Sequence, residues 1–418
     1  MVQSMNDGWL FYKEGDKQKQ SVMLPHDAML HEKRDPKAES GSAGAFFPGG
    51  VFCYERKIML TEDQVQMHLT LEFEGAYKNA EVFVNGQEVY QAAYGYSPFF
   101  VILDGHIKAG ENTILVKTDN SQQPDSRWYS GAGIYRPVWL HIQPKDHIAI
   151  EGIRVKTVSI DPTVMEVSVE RTAGKVQVEI IDAEGKQAAT ALLEKDSVQI
   201  PLPKAHLWSE ETPYLYGIRA SLLGADSSIL DQAKDTFGVR LITWSPKGFF
   251  VNGKETLLRG GCIHHDNGVL GACTYDESEM RRIRILKENG YNAIRCAHNP
   301  CSKALLRACD ALGVYIMDET WDMWYSHKSK YDYATEFMSH YKEDLEAMVR
   351  RDYNHPSVVM YSIGNEVSEP ASQKGVALSQ EMADYLRNLD ETRAVTAGFN
   401  LMIIKSSAEG KGVYKEEG

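Results

Sequence analysis

The sequence predicts a multidomain fold that is β in its first half and α/β in its second: two β-sandwiches, then an incomplete (β/α)8 barrel. Three observations carry that prediction. Short runs alternating apolar and polar residues fill the chain from residue 1 to about 243. After "GFFVNGKETLLRGG" helical segments separate short apolar strands, the mark of parallel strand–helix units. A chain of 418 residues also exceeds one ordinary domain and calls for two or three.

The first domain is placed at residues 1–145. "MHLTLEFEGAY", "AEVFVNGQEVY" and "NTILVKTDN" alternate as half-buried strands do. "VNGQ" (Val84 to Gln87) puts Asn-Gly between two such runs, a strong hairpin signal. Strands at this spacing without helices indicate a sandwich. "PKDH" (Pro144 to His147) reads as a linker, and residues 146–243 continue as β text in "IAIEGIRVKTVSI" and "TVMEVSVERTAGKVQVEIIDAEG". Their length fits an immunoglobulin-like sandwich of about 100 residues.

Residues 244–418 form the third domain. Strands are predicted at Leu257–Ile263, Ala293–Cys296, Val314–Met317, Val358–Ile363 and Val395–Ala397. The helices between them are predicted at Glu277–Asn289, Lys303–Leu312, Glu336–Asp352 and Ser379–Leu389, with Gly313 as a C-cap. The end, "MIIKSSAEGKGVYKEEG", reads as a loop or disordered tail. About five strands are present where a closed barrel of this kind has eight.

Composition excludes several classes of function. The chain is 43% hydrophobic, 25% charged and 10% aromatic, as in soluble globular domains. A formal net charge of −13 argues against a nucleic-acid partner, because phosphate contact needs a basic face. No run approaches the roughly 18 apolar residues that span a membrane. The start lacks a basic-then-apolar leader pattern, so a cytoplasmic location is expected. Six cysteines are scattered without a C-x-x-C unit, so neither a metal nor another cofactor is expected.

The chemistry concentrates where a barrel keeps its active site, at the C-terminal ends of the strands. The first strand runs into His264, His265 and Asp266, and the second into Arg295, His298 and Asn299. The third runs into Asp318 and Glu319, the fourth into Asn365 and Glu366, and the fifth into Asn400. Each alone has a structural explanation; Asp318 and Glu319 could cap a helix. Four consecutive strand ends delivering such groups to one face is another matter, since unpaired charge in a desolvated mouth is costly. In an acidic, low-dielectric pocket the protonated form of Glu366 is favoured, which suits a general acid. Gly364 is expected to give the backbone freedom to turn that pair towards the mouth.

Three stretches resemble glycoside hydrolase family 2, the β-galactosidase, β-glucuronidase and β-mannosidase family. They are "RWYSGAGIYRPVWL" (Arg127 to Leu140), "NAIRCAHNPCSKALLRACDALGVYIMDE" (Asn292 to Glu319) and "DYNHPSVVMYSIGNE" (Asp352 to Glu366). The resemblance covers essentially the whole chain and implies a jelly-roll-like sugar-binding sandwich, an immunoglobulin-like sandwich and a catalytic barrel. Asn299 stands where the family often has Tyr, and Tyr361 where it often has Trp, departures that bear on subfamily. By that resemblance Glu366 matches the acid/base, and Asn365 the residue holding the sugar 2-hydroxyl. Arg295 and His298 match residues lining the sugar pocket, and His265 and Asp266 resemble a substrate-contacting pair. Trp324 stands between an aromatic wall and simple packing.

The resemblance also implies a β-glycoside substrate, with galactoside the default sugar and β-glucuronidase or β-mannosidase specificity as the alternative, and a possible homo-oligomer. A retaining glycosidase needs a second carboxylate about 5–5.5 Å from the first, which the family takes from the seventh barrel strand. No motif here supplies it: Glu369 reads as a loop charge, and Glu409, Glu416 and Glu417 lie in the tail. The expectation is therefore an N-terminal portion of a longer enzyme, inactive alone. Two alternatives stand beside it. One is a non-catalytic carbohydrate-binding protein with a degenerate barrel. The other is an inverting hydrolase using Asp266 or Glu319 as its second group, which needs roughly 6.5–9.5 Å between carboxyls.

Overall fold

In the computed structural model, which describes residues 1–411, two antiparallel sheets pack face to face at the start of the chain. One has four strands in the order Val2–Ser4, Val138–Gln143, His68–Phe73, Phe99–Ile102. The other has six, and its centre pairs Val51–Leu60 with Gly110–Asp119 over ten residues. Alternation explains the packing: along Gly110–Asp119 every second residue from Asn112 to Thr118 is buried. Both sheets contribute to one core with Trp9, Phe52, Leu71, Phe73, Val82 and Val116. At the "VNGQ" turn, Asn85 and Gly86 take φ of +52° and +85°, the geometry of a two-residue hairpin.

Seven strands between Ile148 and Phe237 form the second sandwich, in sheets of three and four. Its core holds Met165, Val167, Val178, Ile180, Ile218 and Leu222. A small sheet (Ile242–Ser245, Gly248–Val251, Lys254–Glu255) follows. With Trp208 it packs on Ala293, Tyr315 and Val359, at the starts of three barrel strands, and so closes the bottom of the last domain.

That domain is a five-stranded parallel sheet whose strands lie side by side in sequence order: Gly260–Ile263, Ala293–Cys296, Tyr315–Glu319, Val358–Asn365, Ala394–Gly398. The connecting helices are α1 (Asp276–Glu288), α2 (Lys303–Leu312), α3 (Ala334–Asp352) and α4 (Gln373–Leu389). The fold is thus a multidomain β plus α/β assembly with a partial barrel. Its first strand is shorter than the apolar text suggests. Leu257 and Leu258 are exposed, because among the described residues that strand is paired on one side only. Helix α4 starts six residues earlier than expected, where Ser372 accepts a hydrogen bond from the Gly375 amide. The expected tail is instead helical through Leu401–Ala408 (α5), started by Asn400, which accepts from the Met402 and Ile403 amides. Glu409 follows that helix; Glu416 and Glu417 lie outside the described residues. Among the described residues no helix is long and apolar enough to cross a membrane.

Buried charges join the three domains. Lys303 at the start of α2 pairs with Glu72 of the first sandwich and with Glu151 of the second. Arg136 donates to the carbonyls of Tyr96 and Pro300. Arg240 donates to Pro356 and Val358, at the base of the fourth barrel strand. The loop after Asp125 of the first sandwich meets the C-terminal ends of the barrel strands, where Arg127 pairs with Asp322 beyond the third strand.

Candidate active site

An open cavity of about 380 Å³ lies at those strand ends, lined by Arg127, Trp128, His264, Arg295, His298, Asn365 and Glu366. Its volume lies within the range of small-molecule sites. Parallel pairing aims successive strand ends at this mouth, and the loop from the first sandwich supplies Arg127 and Trp128.

Two buried carboxylates organise the side chains. Glu319, with no exposed surface, ends the third strand. Its Oε2 accepts from Arg295 Nε and Nη2 at 3.1 and 2.6 Å and from the Ser362 hydroxyl at 2.5 Å, and Oε1 lies 2.6 Å from His298 Nδ1. Burial opposes the charge on Arg295, but Glu319 outweighs it and raises the guanidinium's pKa. Asp322, three residues on, accepts from Arg127 Nε and Nη2 at 2.7 and 2.5 Å, from Lys328 Nζ at 3.0 Å and from Asn365 Nδ2 at 2.8 Å. Burial alone would raise this carboxyl. The bonds and charges of Arg127 and Lys328 outweigh it and hold it at about 2. The pocket is therefore mixed in charge rather than acidic as the sequence suggested, since sequence order alone hid Arg127 and Lys328.

Glu366 stands at the rim of this frame. Its own backbone takes φ of +46°, a left-handed conformation that costs a non-glycine residue about 1–3 kcal/mol. The turn is held by the Glu366 amide donating to Gly398 O at 2.7 Å and the Asn365 amide donating to Trp321 O at 3.1 Å. Asn400 Nδ2 donates to Glu366 Oε1 at 3.1 Å. Gly364 does not make the turn, contrary to expectation. It is needed for a close approach, because a Cβ there would lie 2.7 Å from Trp324 Nε1.

Glu366, Asn365, Arg295 and His298 come together in the one cavity. His265 and Asp266 do not. His265 turns away under Tyr96 and Tyr135, with Nε2 2.9 Å from the Ser130 carbonyl. Burial drives its pKa down to about 3. Asp266 is exposed, and its carbonyl accepts from Arg282. The neighbouring His264 lines the cavity instead. Trp324 is packing: it is fully buried, and its indole N–H donates to Ile363 O at 2.7 Å. Trp128 forms the aromatic wall, with its ring 5.0 Å from His264 and 5.6 Å from His298. Sequence reasoning missed Arg127, Trp128, Asp322 and Lys328 as site residues. The first two stood in the quoted "RWYSGAGIYRPVWL", but nothing local showed that this loop reaches a barrel more than 100 residues away.

One further group has metal-like spacing. Single ligand atoms of Cys296, Cys301 and Asp318 lie within 4.8 Å of one another. The donor set does not suit a cation. The bond to Cys301 and burial lift the Cys296 thiol well above its ordinary pKa, and burial lifts Cys301. Asp318 is already held by Arg351.

Comparison with known proteins gives the same architecture. Family models described as "Glycosyl hydrolases family 2, sugar binding domain", "Glycosyl hydrolases family 2" and "Glycosyl hydrolases family 2, TIM barrel domain" match residues 45–144, 139–240 and 242–407. The β-galactosidase BoGH2A of Bacteroides ovatus is 35% identical over 90% of this chain and 50% of its own length. A β-glucuronidase of Bacteroides fragilis is 27% identical over 95% of this chain and 60% of its own. The crystal structure of a glycosyl hydrolase family 2 member from Bacteroides cellulosilyticus superposes with a TM-score of 0.89 at 36% identity, covering 96% of this chain and 56% of that one. The chain thus spans about half the length of the curated relatives it matches.

Proposed function

The chain belongs to glycoside hydrolase family 2, and on that premise we propose that its described residues form the acid/base half of a retaining β-glycosidase site. One observation carries the proposal: a carboxyl, Glu366, shares a sugar-sized cavity with Asn365, Arg295, His298 and an indole at the C-terminal ends of parallel strands. In this mechanism Glu366 protonates the leaving oxygen, then deprotonates the water that releases the sugar from a second, nucleophilic carboxylate. Asn365 hydrogen-bonds the 2-hydroxyl, a contact that strengthens in the transition state. Asn400 holds one oxygen of the acid/base.

The second carboxylate is proposed to come from outside the described residues. Glu319 and Asp322, the nearest acidic neighbours of the cavity-lining side chains, are each committed to cations. Galactoside is the sugar favoured over glucuronide, because the Bacteroides ovatus relative at 35% identity is named a β-galactosidase and the Bacteroides fragilis β-glucuronidase is 27% identical.

The committed state of Glu319 and Asp322 also favours a second reading for these residues taken alone, a glycoside-binding pocket without turnover. Both readings meet in one experiment on the 418-residue chain, hydrolysis of nitrophenyl β-galactoside alongside titration with a non-hydrolysable β-thiogalactoside. The expected outcome is binding that Glu366→Gln weakens, without hydrolysis. Robust turnover abolished by Glu366→Gln would show that the nucleophile lies within these residues. Failure of every β-glycoside to bind would remove the sugar-pocket assignment.

A further inference from the structure

We propose that Asp322 is a positioning residue that makes the first sandwich part of the sugar pocket, fixing Asn365 for the 2-hydroxyl and, through Arg127, setting Trp128 as the pocket wall. The inference rests on the glycoside pocket proposed above and adds where its selectivity comes from.

The Asn365 amide offers two N–H donors and two oxygen lone pairs. One N–H goes to Asp322 Oδ1 at 2.8 Å, and the carbonyl oxygen accepts from Arg295 Nη2 at 3.0 Å. A flipped amide would set its oxygen against the Asp322 carboxylate and its NH2 against the Arg295 guanidinium. The charges therefore choose one orientation. Packing alone discriminates poorly between two ends of nearly equal shape. The second N–H is then presented from a fixed direction to a ligand in the cavity that Asn365 lines. The Lys328 ammonium, 2.6 Å from the Asn365 carbonyl oxygen of the backbone, pins the same residue from the other side.

The second arm runs through Arg127. Its guanidinium meets Asp322 through two N–H groups, with the Asp322 side chain only 1% exposed. This bidentate fork fixes direction as well as distance. The next residue is Trp128, whose ring packs edge-on towards His298 and tilted against His264. One carboxylate thus ties a loop of the first sandwich, the amide of the fourth barrel strand and the ammonium of the loop after the third strand. The pocket is built across the domain boundary.

The test uses the 418-residue chain, titrated with a β-thiogalactoside and with its 2-deoxy analogue, followed by calorimetry and tryptophan fluorescence. The unmodified chain is expected to prefer the 2-hydroxy ligand by about tenfold, the cost of leaving the Asn365 donor unpaired. Asp322→Asn should reduce that preference to within about twofold, because the amide no longer has one favoured orientation. Arg127→Lys keeps the charge but loses the fork. It should retain the 2-hydroxyl preference, weaken both ligands together, and abolish the ligand-induced fluorescence change that Trp128→Phe identifies. Hydrogen exchange over residues 125–131 should rise in Arg127→Lys without any sugar present, a readout that stands if Asp322→Asn fails to fold. An unchanged 2-hydroxyl preference in folded Asp322→Asn overturns the first arm. Unchanged fluorescence and exchange in Arg127→Lys overturn the second. If the unmodified chain binds neither ligand, the pocket assignment itself falls, and this inference with it.

Discussion

At the scale of single residues, what a side chain does here follows from where its neighbours leave it. His264 and His265 are adjacent, chemically identical and both half-buried, yet one lines the cavity and the other packs against Tyr96, Tyr135 and the Ser130 carbonyl. Burial disfavours the imidazolium and lowers the His265 pKa to about 3, below the ordinary 6.5. Between those values the unfolded chain binds a proton that the folded chain refuses, so folding stability falls as pH drops from about 6.5 towards 3. His265→Gln should flatten that acid limb in urea melts run at pH 4 to 7; an acid limb as steep as in the unmodified chain would show that His265 does not carry it. The family resemblance pointed to His265 with Asp266, whereas His264 is the histidine of this strand end that lines the cavity. Position along a strand end does not say which of two neighbours turns inward.

At the scale of elements, periodicity and caps made most of the strands and helices legible. Helix α2 shows why: Ser302 precedes it and Gly313, with φ of +70°, follows it, so both ends are written in the sequence. The Ser302 hydroxyl accepts from the Leu305 amide at 3.1 Å. Ser302→Ala is expected to cost about 1 kcal/mol, read as a lower urea midpoint with unchanged slope. Helix α5 was missed for the opposite reason. Its eight residues are too short for a period to stand out, and the polar glycine-bearing text after them dominated the window. The fourth strand ran two residues further than its apolar core, to Asn365, because the site itself continues the pairing: Asn365 lies opposite Gly398 of the fifth strand.

At the scale of the whole molecule, three domains meet through buried charge. Lys303 compensates Glu72 and Glu151 together, and its side chain is 16% exposed. Burial alone would raise Glu72, but Lys303 and His141 hold it down at about 2. That stability is present above the ordinary carboxyl pKa of 4.5 and is lost as pH falls through about 2. Lys303→Met should therefore destabilise the chain by about 3–5 kcal/mol at pH 7, because it strands a buried carboxylate. The loss should shrink as the pH falls below about 4.5. Calorimetric melts at pH 7 and pH 4 check both statements, and an equal loss at the two values would rule out the carboxylate as its cause.

Sequence by itself determined the three-part architecture, the parallel order of the last five strands and the gathering of Arg295, His298, Asn365 and Glu366 at one end of them. Those features depend on local periodicity, turn chemistry and the one-directional geometry of strand–helix units, all of which are written within a few tens of residues. Only the tertiary structure decided that Asp322 and Glu319 would frame the pocket, and that Trp128 rather than Trp324 would wall it. It also decided that Arg127 and Lys328 would offset the carboxylates. Those outcomes depend on how one sandwich docks on a barrel, where burial and ion pairing between distant segments outweigh any local preference.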